Sequence, residues 1–185
     1  MNKKPVALIT GANRGIGRAI ATRLAREGYH CVLAVRNPQA ATPVLDDIRH
    51  AGGSAEVLQM DVADQDSISQ AAANFGLRHG RLDALINNAG IMVDMPVNLL
   101  AASEEDIERA LSTNTFGPLR VTRAFLPFLR RARAARVVNV SSRGGQIASI
   151  VDPAAPLGMF EAGPYRLSKA ALNGVTALMA KGDRG

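Results

Sequence analysis

Tyr165 and Lys169 lie four residues apart in the stretch GPYRLSKAAL, whose composition is typical of a helix. Side chains at positions i and i+4 share one helix face, so the phenol and the ammonium are expected to point the same way. Tyrosine has an ordinary pKa of about 10, and a nearby cation favours its ionised form. The pair is therefore either a tuned proton donor or part of a solvated helix face, and other parts of the sequence must decide.

A glycine-rich stretch, TGANRGIG, follows the first apolar run of the chain. Gly11, Gly15 and Gly17 have a G-x3-G-x-G spacing, which differs from the G-x-G-x-x-G fingerprint of many dinucleotide folds. Such glycines let the backbone turn tightly and let a pyrophosphate approach a helix N-terminus. The pattern predicts a phosphate-binding turn, with a strand-to-helix turn that binds no ligand as the alternative.

Two arginines indicate which dinucleotide would bind. Folds that prefer the non-phosphorylated cofactor place a carboxylate about 20 residues beyond the turn, where it holds the ribose 2′-hydroxyl. This chain has Arg36 after its second apolar run and Arg14 within the turn. Two guanidiniums without a carboxylate favour a 2′-phosphate. We therefore expect NADPH to be preferred and NADH to be the alternative, unless Arg36 is an ordinary solvent-facing residue.

Strand-length apolar runs alternate with segments of helical spacing. The runs are Val6–Ile9, Cys31–Val35, Val57–Met60, Leu85–Ile86 and Val137–Val140. The helical segments are Ile16–Leu24 with Gly28 as its stop, Ile68–Phe75, and Ile107–Phe128 ending near Pro127. The alternation predicts an α/β fold with a Rossmann-type, doubly wound parallel sheet in three α/β/α layers. Residues 144–164 are predicted to form a loop.

Composition restricts the classes of function. The chain has 185 residues, a net charge of +6 and 47% hydrophobic residues, which suits one globular domain. It lacks an apolar run of about 18 residues, and the run Val6–Ile9 is too short for a signal peptide. With five Phe and no Trp for base stacking, nucleic-acid binding is not expected. Cys31 is predicted to be a buried strand residue in a cytoplasmic protein.

Six short motifs of the sequence resemble those of a known protein family. They are TGANRGIG at 10–17, DV at 61–62, NNAG at 87–90, Asn114 in STNTFG, NVSS at 139–142 and YRLSK at 165–169. In this order they resemble the classical short-chain dehydrogenase/reductase family. TGANRG followed by VLAVRN is most similar to its NADPH-dependent carbonyl-reductase branch.

The resemblance implies roles by position. The residues implied to bind the cofactor are Gly11, Asn13, Arg14, Gly15, Ile16, Gly17, Arg36, Asp61, Val62, Asn88, Ala89, Gly90, Tyr165 and Lys169. The implied catalytic tetrad is Asn114, Ser142, Tyr165 and Lys169. No metal is expected.

Within the tetrad, Tyr165 would protonate the substrate oxygen, and Ser142 would hold that oxygen. Lys169 would lower the pKa of Tyr165 and bind the nicotinamide ribose. Asn114 would position a water that re-protonates the lysine. The alternatives are a turn-capping role for Ser142 and a helix-kink or capping role for Asn114, and Ser141 could be confused with Ser142.

The sequence also departs from the family. The loop between Ser142 and Tyr165 carries about ten extra residues, and its apolar side chains predict a lid over an apolar substrate. The family's C-terminal strand, helix pair and last strand are absent after ALMAKGDRG. We therefore expect residues 1–185 to form a single dinucleotide-binding domain that is incomplete at its C-terminus. A chain of only these residues is expected to turn over poorly and to expose an open sheet edge, and the alternative is a longer native chain that continues into the missing strand.

The leading interpretation is an NADPH-dependent oxidoreductase of the carbonyl reductase type (EC 1.1.1.-), acting on a small carbonyl or alcohol. The alternative is a protein that binds the cofactor but is catalytically weak and serves as a regulator or sensor. A homodimer or homotetramer is expected, with a monomer as the alternative, and neither a membrane nor a nucleic acid is an expected partner.

Overall fold

A five-stranded sheet organises the described part of the chain. The computed structural model describes residues 4–93, 98–152, 154 and 161–182. The strands are β1 (Val6–Thr10), β2 (His30–Val35), β3 (Ser54–Gln59), β4 (Ala84–Asn87) and β5 (Arg136–Asn139). Their order in the sheet is β3-β2-β1-β4-β5, and β1 pairs in parallel with both β2 and β4. This is the strand order of a doubly wound dinucleotide fold, so the predicted fold class is confirmed.

Helices connect these strands. The α-helices are α1 (Gly15–Arg26), α2 (Thr42–His50), α3 (Gln65–Gly76), α4 (Glu104–Leu111), α5 (Gly117–Leu129), α6 (Ile147–Val151) and α7 (Gly163–Gly182). Short 3₁₀ turns precede α2 and α6, at Pro38–Ala41 and Arg143–Gly145. Among the described residues, no helix is both long and apolar enough to cross a membrane.

The chain divides into two compact units, the first comprising residues 1–89 and 120–138 and the second residues 90–119 and 139–185. In the first unit, helices cover both faces of the sheet at β1 and β2, whereas the residues of β5 are largely exposed. On one face, strand residues pack with side chains of α3 and α5, including Phe75 and Phe125, in a single buried cluster. On the other face, Cys31 is buried and its thiol donates to the carbonyl of Ala21 in α1. The predicted burial of Cys31 is therefore confirmed.

The second unit is built around α7. Its buried positions include Ser168, Lys169 and Leu172, whereas Leu178 near its end is 71% exposed. The hydroxyl of Thr115 donates to the carbonyl of Ser168 over 2.8 Å. This contact ties the first half of α7 to the segment that follows α4.

Three predictions of secondary structure need correction. The helix predicted over Ile107–Phe128 consists of α4, a π-helical segment at Ser112–Phe116, and α5, which passes Pro127 and ends at Leu129. The region predicted as a loop contains α6. Strand β3 begins at Ser54, three residues before the predicted start, because it pairs with β2 from the His30–Ser54 pair onward.

Candidate active site

The glycine-rich turn lies in the first unit between β1 and α1. Gly11 and Gly15 have φ angles of +65° and +54°, a backbone region that side chains with a Cβ rarely adopt. Helix α1 starts at Gly15 with no side-chain cap and no acidic residue in its first turn. Its first N–H groups are therefore available to an anion, as a phosphate-binding turn requires.

Close packing behind the turn explains why residue 17 is a glycine. A Cβ at this position would meet the carbonyl of Gly11, and it would lie 2.5 Å from the side-chain nitrogen of Asn88. That nitrogen donates to the carbonyls of Thr10 and Gly11, at 2.9 and 3.3 Å. Gly17 thus lets the N-terminus of α1 approach the NNAG segment closely.

We expect Gly17→Ala to lower the free energy of unfolding by about 1–3 kcal/mol, because the added methyl group overpacks the turn. The Tm should fall by roughly 2–12 °C in a thermal melt. The matched control is Gly174→Ala in α7, where a Cβ meets nothing within 4 Å. Since alanine favours a helix, this control should be neutral or stabilising. Equal melting temperatures for the two variants would contradict the packing argument.

Thr10 is a structural residue of this turn that sequence reasoning missed. Its side chain is buried, and its hydroxyl oxygen accepts from the backbone N–H groups of Asn88 and Ala89, each at 2.9 Å. The end of β1 therefore holds the NNAG segment in place. Thr10 belongs to the TGANRGIG motif, but its sequence position does not reveal a partner 78 residues away.

The remaining predicted cofactor residues of the first unit differ in exposure. Arg14, Ile16 and Arg36 are exposed, and Asn13 is half-buried. Asp61 is half-buried and its carboxylate accepts from the N–H of Ala63 at 2.9 Å, while Val62 is buried. Arg36 directly follows β2 and forms no ion pair with a described residue, so its guanidinium is available to an anionic ligand.

In the second unit, Tyr165 and Lys169 lie on one face of α7, as the spacing predicts. The Lys169 Nζ is 5.8 Å from the centre of the Tyr165 ring. Lys169 is only 5% exposed, and its ammonium donates to the carbonyl of Val140 at 2.8 Å. Burial lowers the pKa of Lys169 below its ordinary value of 10.5. A desolvated ammonium beside a phenol is an arrangement that promotes proton transfer.

Asn114 occupies the π-helical segment and is fully buried. Its side-chain oxygen accepts from the N–H of Ile91, and its nitrogen donates to the carbonyl of Ile91, both at 2.8 Å. The same nitrogen donates to the hydroxyl of Ser168 at 3.0 Å. Asn114 therefore holds the segment after NNAG against α7. It makes the contacts of a structural residue, whatever further role it has.

Gly90, the last residue of NNAG, lies close to the side chains of both Asn114 and Lys169. A Cβ at Gly90 would lie 3.1 Å from the Asn114 oxygen and 3.7 Å from the Lys169 Nζ. The structure thus brings two residues of the predicted catalytic tetrad together beside Gly90.

The two serines after β5 are distinguished by their partners. Ser141 donates to the side-chain oxygen of Asn173 in α7 at 2.6 Å, which occupies its hydroxyl proton. Ser142 accepts from the N–H of Gly144 at 3.1 Å and caps the 3₁₀ turn that follows. The capping bond uses a lone pair of Ser142 and leaves its proton available. The geometry is therefore compatible with the predicted choice of Ser142.

Arg166 is a second residue that sequence reasoning missed. It is 8% exposed, and its guanidinium donates to the carbonyls of Gly144 and Ser149, at 3.3 and 2.7 Å. A Cβ at Gly145 would lie 2.6 Å from the Lys169 backbone, so the turn after Ser142 packs directly on α7. Arg166 and Gly145 together fix the Ser142 turn beside the helix that carries Tyr165.

The chain belongs to the short-chain dehydrogenase family, whose model matches residues 5–182. The resemblance carried by the six motifs is therefore confirmed.

Several known proteins are similar to the chain over nearly all of its length. A short-chain dehydrogenase of Penicillium roqueforti, anuI, is 37% identical over 96% of this chain and 72% of its own length. A metagenomic short-chain oxidoreductase solved in complex with NADP is 33% identical, with a TM-score of 0.84 over 97% of this chain and 76% of the other. An NADPH-bound carbonyl reductase from chicken fatty liver is 31% identical, with a TM-score of 0.86 over 99% and 75%. The chain spans between 48% and 72% of the length of its curated relatives.

Proposed function

We propose that this protein is an NADPH-dependent oxidoreductase that interconverts a small carbonyl compound and its alcohol, with Tyr165 as the acid and base. The observation that carries the proposal is the buried ammonium of Lys169, held on one helix face with Tyr165 and close to Asn114 and Gly90. The turn at Gly11–Gly17, with its uncapped helix N-terminus, fits the pyrophosphate of a dinucleotide. Residues 1–185 then act as one dinucleotide-binding domain.

In the reducing direction, NADPH supplies the hydride that reduces the carbonyl carbon. Tyr165 donates its hydroxyl proton to the carbonyl oxygen as negative charge develops there. The Ser142 hydroxyl, whose proton is not used in capping, donates a hydrogen bond to the same oxygen. In the oxidising direction the tyrosinate takes the proton back from the alcohol.

Lys169 supports this proton transfer. Its ammonium lies 5.8 Å from the centre of the Tyr165 ring, and a positive charge there stabilises the negative charge that develops on the phenol oxygen. The ammonium donates to the carbonyl of Val140. We propose that this donor also reaches the nicotinamide ribose hydroxyls, and that a water held near Asn114 returns a proton to Lys169.

Arg36 determines the preference for NADPH over NADH in this proposal. It is exposed at the end of β2, where a carboxylate would favour the ribose 2′-hydroxyl. Arg14, also exposed, adds a second positive charge in the turn. The solved relatives that carry NADP or NADPH support this preference.

We expect Arg36→Ala to weaken NADPH binding by about one to two decades, because a charge-assisted hydrogen bond contributes about 1.5–3 kcal/mol. NADH binding should remain unchanged, since NADH lacks the 2′-phosphate. Fluorescence titration with each dinucleotide measures both constants. The control is Arg26→Ala, an exposed arginine at the end of α1. An unchanged ratio of the two affinities in Arg36→Ala would disprove the assignment.

Turnover separates the enzyme from its alternative, a cofactor-binding sensor or regulator. The purified protein would be mixed with NADPH and a panel of aldehydes and ketones, and the loss of NADPH absorbance followed. We expect reduction of at least one carbonyl compound, and a rate about 10²–10⁴-fold lower when Tyr165 is replaced by Phe. Tight NADPH binding without turnover on any carbonyl compound would favour the sensor.

Other predictions remain to be tested. An apolar substrate and a lid are supported by the exposed side chains of Ile147 and Val151 in α6. Residues 153 and 155–160 of the same loop lie outside the described residues. Carbonyl-reductase specificity, assembly as a homodimer or homotetramer, and a cytoplasmic location are likewise proposals.

A further inference from the structure

Two histidines and a glutamate form a cluster in the first unit, away from the glycine-rich turn. His30 begins β2, Glu56 lies in β3, and His79 follows α3. In the part of the chain that the structure describes, their potential ligand atoms lie within 4.8 Å of one another. His79 Nε2 is 2.9 Å from Glu56 Oε1, and His30 Nε2 is 4.0 Å from Glu56 Oε2. The cluster therefore presents two imidazole nitrogens around one carboxylate.

His79 has a hydrogen-bond partner in Glu56, whereas one ring nitrogen of His30 has none among the described residues. The Nδ1 of His30 is 2.7 Å from the hydroxyl of Ser54, which gives this nitrogen a partner. The Nε2 of His30 is buried and has no hydrogen-bond partner among the described residues. A buried polar atom without a partner is costly and calls for an explanation. If Nδ1 carries the proton that is donated to Ser54, the lone pair of Nε2 points into the cluster.

The donor set suits a borderline divalent metal. Zn²⁺ binds imidazole nitrogen and carboxylate oxygen at about 2.0–2.2 Å, so tetrahedral ligands lie about 3.4 Å apart. The ligand atoms of the cluster need shifts on the order of 1 Å to reach that spacing. Ser54 would then orient His30 from the second nitrogen, as is usual for metal-bound histidine. The three side chains are 14–21% exposed, which leaves a fourth position open to water.

The charges around the cluster do not prevent binding. Arg78 lies 3.6 Å from Glu56 Oε1, but its side chain is 44% exposed and the other oxygen, Oε2, faces His30. The thiol of Cys31, the next residue, donates to the carbonyl of Ala21 in α1 and is not part of the cluster.

We propose that His30, Glu56 and His79 bind one Zn²⁺ ion or a similar divalent transition-metal ion, as a structural site. The ion would link the start of β2, strand β3 and the segment after α3. The glycine-rich turn follows the C-terminal end of β1, whereas His30 begins β2, so the site is separate from the proposed phosphate-binding turn. The sequence analysis expected no metal, and the proposed site differs from that expectation. More than twenty residues separate each ligand from the next, so no local sequence motif indicates the site.

Equilibrium dialysis of the chelator-stripped, full-length protein against Zn²⁺ tests the proposal, with bound metal counted by mass spectrometry. We expect one Zn²⁺ per chain at micromolar free metal. At a free concentration of a hundred times the Kd, the Tm should rise by roughly 5–10 °C. Wild-type protein that binds no Zn²⁺ under these conditions would overturn the proposal, whatever its activity with NADPH.

Variants locate the bound ion. His30→Gln, Glu56→Gln and His79→Gln should each weaken Zn²⁺ binding at least about tenfold, since even loss of an outer hydrogen-bond partner has such an effect. The matched control is His50→Gln, because His50 is the only other histidine in the chain and lies exposed at the end of α2. Circular dichroism in the presence of chelator checks that each variant folds. Unchanged affinity in His30→Gln and His79→Gln would place the ion elsewhere and disprove the site.

Discussion

Tyr165→Phe is expected to lower kcat for carbonyl reduction by about 10²–10⁴-fold, the range typical of removing a general acid. The change removes one oxygen and leaves the ring, so packing in α7 should be preserved. The Kd for NADPH should stay within about twofold of the wild-type value, because the phosphate-binding turn is untouched. Steady-state kinetics and fluorescence titration on the same preparation separate the two quantities.

Tyr29→Phe is the matched control, since the chain has only two tyrosines and Tyr29 lies between α1 and β2. Its kcat should equal that of the wild type. If Tyr165→Phe reduced carbonyls at the normal rate, the proton would have to come from another group, and the proposed mechanism would be wrong.

Lys169→Met is expected to abolish most turnover and to weaken NADPH binding, yet not to destabilise the ligand-free protein. At pH values between the lowered pKa of Lys169 in the folded protein and 10.5, the Lys169 side chain is protonated more often in the unfolded chain than in the folded protein. Below this window the buried ammonium therefore costs stability, and the cost is relieved as the pH rises through the window. Methionine fills a similar volume without the charge, and water can reach the half-buried Val140 in place of the lost donor.

Denaturant unfolding at several pH values measures this effect. At neutral pH, the free energy of unfolding of Lys169→Met should equal or exceed that of the wild type, and the difference should shrink as the pH approaches 10.5. Lys181→Met, at the exposed end of α7, serves as the control for simple loss of a charge. A clear loss of stability at neutral pH, specific to Lys169→Met, would show that the hydrogen bond to Val140 outweighs desolvation.

The centres of β1, β2 and β4 could be predicted from the sequence because continuous apolar runs mark buried strands. The apolar run of β5 also marks a strand, although its residues are largely exposed. The start of β3 could not be predicted, since Ser54 and Glu56 are polar and join the strand through pairing with β2. Helix α2 was not predicted, because only Val44 and Ile48 are buried in its nine residues. Two apolar positions are too few to establish a helical period.

In the candidate site, too, local features could be predicted from the sequence and contacts between distant segments could not. The spacing of Tyr165 and Lys169 is local, so the sequence predicts their shared helix face. The contacts of Thr10, Arg166 and Ser168 join segments distant in the chain, and no local pattern indicates them. Motifs therefore identify candidate reacting groups, whereas the residues that position those groups become visible only in three dimensions.

The π-helical segment at Ser112–Phe116 constrains the length of the chain at this point. A π turn closes its hydrogen bonds over one more residue than an α turn, so the segment holds one residue beyond a regular helix. Deleting that residue would restore a continuous α-helix, which is the better helix by itself. It would also turn the side chains on one side of the deletion by about 100° relative to those on the other. The Asn114 amide would then lose its alignment with both the N–H and the carbonyl of Ile91. Deletion of one residue from this segment is therefore expected to break the contact between Asn114 and Ile91.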